Sequence, residues 1–153
     1  MRYCETPDEV KKNPDAKYWI SKVCNGDASA ESLLWSWWNF FHMFDDLIDQ
    51  DKEAPKEMII KECMLFMSEL SYNNFYQINK SSLHPMLIQF FNRWIDGDDW
   101  EQSGDPWKES VSDVLRCGDM EIYFHFAFLC GGWDHMRECK GVRCYDRNKI
   151  IKD

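Results

Sequence analysis

The chain has 153 residues, a formal net charge of -9, 44% hydrophobic residues and an aromatic share of 16%. A body of this charge repels phosphate backbones and anionic lipid surfaces, which argues against nucleic acid or a membrane as a direct partner, and no run approaches the ~18 uninterrupted apolar residues of a membrane span. The length fits one domain, and an N-terminus without an apolar core reads as that of a cytoplasmic protein.

Residues 1–28 form a polar N-terminal extension broken by Pro7, Pro14 and Gly26, with a short helix predicted inside NPDAKYWISKVC and packed through Tyr18, Trp19 and Val23. Helix one is predicted over 29–51. It opens on SAESLLW, where Ser29 suits the N-cap and Glu31 the first turn. DKEAPKE leads to helix two over 55–71, with Pro55 in its first turn and apolar positions at Met58, Ile59, Cys63, Phe66, Met67 and Leu70. SYNNFYQINKSSLHP reads as a break before helix three over 84–101, whose first turn holds Pro85 and whose end Gly97 loosens. Helix four is predicted over 106–130 with Pro106 in its first turn, until Gly131 and Gly132 kink or end it; the tail YDRNKIIKD is expected to fray. No alternating run bounded by hairpin dipeptides occurs. The expected fold class is therefore all-α, a single-domain bundle of four main helices.

The chain has 7 cysteines but no C-x-x-C pair, which fits reduced thiols better than a disulfide framework. Cys139 and Cys144 with His135 lack a fourth ligand at ordinary zinc spacing.

The chemistry concentrates in NFFHMFDDLIDQD, at the end of helix one. On a wheel of about 100° per residue, Phe40, Phe41, Met43, Phe44, Leu47 and Ile48 take one arc, while Asn39, His42, Asp45, Asp46 and Asp49 take the other. Trp35 and Trp38 fall in the same polar sector one turn earlier. A solvated helix face usually mixes cations with acids; this one has none. Repelling aspartates at successive turns call for compensation, and a hard divalent cation supplies it.

Asp45-Asp46-Leu47-Ile48-Asp49 reads D-D-x-x-D and resembles the first aspartate-rich motif of polyprenyl diphosphate synthases and other class I terpenoid synthases. The resemblance implies that Asp45, Asp46 and Asp49 hold Mg ions that bind a substrate diphosphate at the mouth of a helical bundle. Helix four carries no second motif of that kind. Over more of the chain, FHMFDDLIDQDK and CGGWDHMRE resemble segments of small helical phage-encoded proteins of unassigned function.

In helix four, MEIYFHFAFLC places Glu121 and His125 one turn apart among aromatics, so Glu121 is a candidate further ligand, or one half of a core-closing pair with His125 or Arg116. Arg116 is otherwise suited to clamp a phosphate. In helix three, Asn92 and Asp96 share a face as candidate ligand contacts or as a solvated helix end. Phosphate-loop, dinucleotide and serine-hydrolase motifs do not occur.

Two functions are expected from these residues. In the first, Asp45, Asp46, Asp49 and Glu121 bind Mg or Mn; the metal holds a phosphorylated small molecule walled by Trp35 and Trp38 and also contacted by Asn39, and His42 or His125 moves a proton in hydrolase or lyase chemistry. In the second, the chain is a non-catalytic phage-type effector whose acidic, aromatic-rich surface engages a basic host protein; a homo-oligomer is compatible with either.

Overall fold

The computed structural model describes residues 14–50 and 53–142, so the expectations for the N-terminus, for Cys144 and for the tail lie outside the described residues. Among these residues the chain is all-α without a strand. The helices are α1 Pro14–Cys24, α2 Ala28–Asp49, α3 Lys56–Tyr72, α4 Asn74–Glu101, α5 Pro106–Arg116 and α6 Asp119–Glu138, followed by a short 3-10 helix, Cys139–Val142. No helix among them is long and apolar enough to cross a membrane. The chain divides into two compact units, 1–80 and 81–153, separated within α4.

In the first unit α1, the short helix expected from NPDAKYWISKVC, buries Ile20, Val23 and Cys24. Asn25 and Gly26 then turn the chain through positive φ (49° and 82°), and Asp27 caps α2 by accepting from the Ser29 and Ala30 amides at 2.9 Å each. The cap expected at Ser29 thus belongs to Asp27. Ser29 is committed elsewhere: its hydroxyl donates to Asn73 Oδ1 at 3.1 Å and accepts from the Phe75 amide at 3.1 Å. Asn73 returns a bond from Nδ2 to the Ser29 carbonyl at 2.8 Å and accepts from the Tyr76 amide at 3.0 Å.

This clasp explains the largest departure from expectation. The stretch 73–83 is not a break: α3 ends at Tyr72, Asn73 alone interrupts, and α4 starts at Asn74. The Asn73 side chain meets the Tyr76 amide, one of those left without a helical acceptor in the first turn of α4, so one residue suffices where a loop would otherwise be needed. Pro85 lies inside α4 rather than in a first turn. Lacking an N–H, it leaves the Ser81 carbonyl without its helical donor, at the place where the two units divide.

α2 and α3 pack through a stripe on α3 at four- and three-residue spacing, Glu62, Phe66 and Glu69, which Asn73 continues just past its end. Phe66 stacks on Phe40 with centroids 4.1 Å apart and planes at 17°, and Glu69 accepts from the Ser32 hydroxyl at 2.9 Å. Trp37, fully buried, meets Tyr76 edge-on at 6.1 Å.

In the second unit Leu83, Leu87, Phe90 and Trp94 form the buried stripe of α4, with Met120, Ile122, Tyr123 and Phe126 of α6 also buried. Helix four of the sequence reading is two helices: α5 closes at Arg116, Cys117 and Gly118 turn the chain, and α6 begins at Asp119. Arg93 stabilises that end of α5 by donating from Nη2 to the Val114 carbonyl at 3.1 Å. Gly97 does not loosen α4. It permits a close approach: a Cβ there would lie 2.5 Å from Arg116 Cγ and 3.2 Å from the Arg116 nitrogen. The expected kink near the double glycine falls at Gly132, whose φ of 76° and ψ of -167° interrupt α6.

Candidate functional site

The residues expected to form a metal and diphosphate site fall in both units. Trp35, Trp38, Asn39, His42, Asp45, Asp46 and Asp49 are on α2 in the first; Asp96, Arg116, Glu121 and His125 are in the second. On α2 the burial does not follow the two arcs of the wheel. Trp38 and Asn39 of the polar sector are 7% and 6% exposed, whereas Leu47 and Ile48 of the apolar sector are 38% and 43% exposed. α2 is buried on several sides between Leu33 and Met43 and opens in its last turns.

Within that opening, Asp45 and Asp46 are half-buried and Asp49 is exposed. His42 donates from Nδ1 to the Trp38 carbonyl at 2.8 Å and rests its ring against Trp38 at 4.1 Å. A carbonyl only accepts, so that bond places a proton on Nδ1. The Asn39 Oδ1 is buried and accepts no hydrogen bond. Among the described residues no group of three or more His, Cys, Asp or Glu side chains is placed to hold a metal ion.

In the second unit each candidate has a local partner. Arg116 pairs with Glu101 and lies over the Trp94 ring, 5.1 Å from its centroid. His125 Nε2 is hydrogen-bonded to the Ser82 hydroxyl at 2.9 Å, and burial lowers the imidazole pKa from its ordinary value. Asp96 is exposed and accepts from Asn92 Nδ2 at 3.0 Å, the arrangement of a solvated helix. Glu121 is half-buried.

Two features escaped the sequence reading. Glu62, on the α2-facing stripe of α3, is fully buried; neither carboxylate oxygen accepts a hydrogen bond, and the Nζ of the exposed Lys61 stands 3.6 Å away. The signal was present but ambiguous, because α3 is apolar on two sides. Its outer side leaves Ile60, Met64, Leu65 and Met67 exposed, and Glu57, Ile60, Lys61, Met64 and Leu65 line a shallow groove of about 340 Å³.

The second is the corner between α4 and α5, WEQSGDPWK, 100–108. Asp105 caps α5 by accepting from the Trp107 amide at 2.9 Å, and Pro106 sets the first turn. The cap brings Trp107 against Trp100, with ring centroids 5.6 Å apart and planes tilted by 47°. Trp107 stays 63% exposed, and Lys108 extends Nζ over the Trp100 ring, 6.0 Å from its centroid. The surrounding segment carries Asp96, Asp98, Asp99, Glu101, Asp105 and Glu109 against Lys108 as its one cation. Two tryptophans seven apart across a Gly-Asp-Pro turn were the available signal.

Comparison with protein-family models, with curated proteins and with solved structures yields no match.

Proposed function

We propose that the protein is a non-catalytic binding protein whose acidic, aromatic-bearing surface engages a basic partner protein. The observation that carries this reading is the α4–α5 corner, where Trp107 is 63% exposed among acidic side chains. Large aromatic rings are the preferred anchors of protein interfaces, and a net charge of -9 steers cationic partners toward the molecule. Asp99 and Glu109 are exposed in the same segment and available to basic side chains. Calorimetric titration with poly-lysine and poly-arginine tests the reading. Both should bind, more weakly as salt rises from about 50 to 200 mM, and the Asp99→Lys, Glu109→Lys double variant should lose most of the affinity. No binding, or binding that ignores the double variant, overturns it.

A second reading retains metal-dependent phosphate chemistry, with Asp45, Asp46 and Asp49 taking Mg or Mn and a diphosphate ligand. What favours it is the half-burial of Asp45 and Asp46 on the same helix as the buried Asn39 Oδ1, which accepts no hydrogen bond. A native-state ligand raises stability by RT ln(1 + [L]/Kd). Thermal unfolding of chelator-treated protein should then rise with added Mg or Mn and stop responding in the Asp46→Asn, Asp49→Asn double variant; no metal response removes this reading.

A further inference from the structure

We propose that the Trp100–Trp107 pair is a receptor for a guanidinium group of the basic partner, and that Lys108 is an internal ligand competing for the same ring face; this rests on the binding-protein reading above. Rings 5.6 Å apart leave no room for a group between them, so a cation must take an outer face. Lys108 holds the Trp100 face at 6.0 Å, the outer limit of a useful cation–π contact. An ammonium is compact and strongly hydrated and gains little at that range. A guanidinium is planar, more weakly hydrated and able to stack on an indole while its N–H fork reaches a carboxylate.

The same unit contains that arrangement already satisfied from within. The Arg116 guanidinium lies 5.1 Å from the Trp94 centroid and pairs with Glu101, the residue that follows Trp100. At the corner the indoles and carboxylates are present, but a lysine stands where an arginine would make the closer contact. The exposed carboxylates of the same segment, Asp99 and Glu109 among them, are the oxygens on offer.

The receptor is also preorganised, which lowers the cost of ordering it on binding. Asp105 accepts from the Trp107 amide, Ser110 donates to the Trp107 carbonyl at 2.7 Å, and Ser103 donates to the Trp100 carbonyl at 2.8 Å. Each bond fixes the backbone beneath a ring.

The test compares capped tetra-arginine and tetra-lysine peptides of equal charge, by calorimetry and by indole N–H chemical shifts. The arginine peptide should bind about three- to tenfold more tightly and shift the Trp100 and Trp107 signals. Trp107→Ala should remove that preference, with circular dichroism confirming that the exposed site tolerates the change. Lys108→Met should tighten arginine binding more than Lys56→Met, which removes the same charge from the first unit. Equal binding of the two peptides, or a preference that survives Trp107→Ala, overturns the receptor and leaves the acidic surface standing. Failure of both peptides and of the longer cationic polymers overturns the two readings together.

Discussion

At the level of single residues, Glu62 is the side chain whose position asks most of the fold. A buried carboxylate without hydrogen bonds loses hydration that one ammonium at 3.6 Å replaces only in part. Glu62→Leu should therefore stabilise the protein by about 1–3 kcal/mol in urea unfolding, as when buried ion pairs are exchanged for apolar groups; a loss of stability would mean that the carboxylate is engaged. His125 makes the second residue-level prediction. Its folded pKa is lowered by burial, so below the ordinary value of about 6.5 the unfolded chain binds the proton more readily than the native one. Stability should be complete above that value and fall as the pH drops toward the lower folded pKa. His125→Gln should flatten the slope of unfolding free energy in that window, and an unchanged slope would assign it to other groups. His125 was visible in the sequence as a histidine among aromatics, but its Ser82 partner was not, because Ser82 sits in what looked like a loop. Glu62 was hidden for a different reason: periodicity identifies an amphipathic helix, and a helix apolar on both sides gives no direction for the core.

At the level of elements, the helices were legible and their junctions were not. The apolar spacing located α2 and α3, and the proline marked the start of α5. The failures came where local signals met distant partners. SYNN and NKSSLHP carry turn residues, yet the chain is helical on both sides of Asn73 and throughout NKSSLHP, because Asn73 finds Ser29, 44 positions away. No local rule contains that bond. Asn73→Ala should accordingly cost about 2–3 kcal/mol, the sum of a lost helix cap and two side-chain hydrogen bonds, read as a lowered urea midpoint; a change below 0.5 kcal/mol, about that of an ordinary surface substitution, would show that the clasp is incidental. The mistaken run through Cys117 and Gly118 had the same origin, since Arg93 satisfies the end of α5 from another helix.

For the whole molecule, charge is the dominant property. The corner at 96–109 concentrates acids with a single lysine, and the chain as a whole carries -9. Self-repulsion of this kind is relieved by counterions. The thermal midpoint should rise as sodium chloride increases from about 20 to 200 mM, a range over which the Debye length shortens roughly threefold, measured by calorimetry. A midpoint independent of salt would mean that the acids are compensated within the fold. The charge total and the all-α class were legible from composition and periodicity. The separation into two units was not, because the division falls inside a continuous helix at a carbonyl deprived of its donor by Pro85.

Gly132 sets a requirement of another kind. Beyond its chain neighbours and its own helix backbone, nothing lies within 4 Å of where its Cβ would sit, yet φ of 76° with ψ of -167° is the mirror image of an extended conformation open to every L-residue. The position therefore selects for handedness rather than size: an ordinary alanine would find space and still be strained, whereas a D-amino acid would meet the backbone in its own preferred geometry.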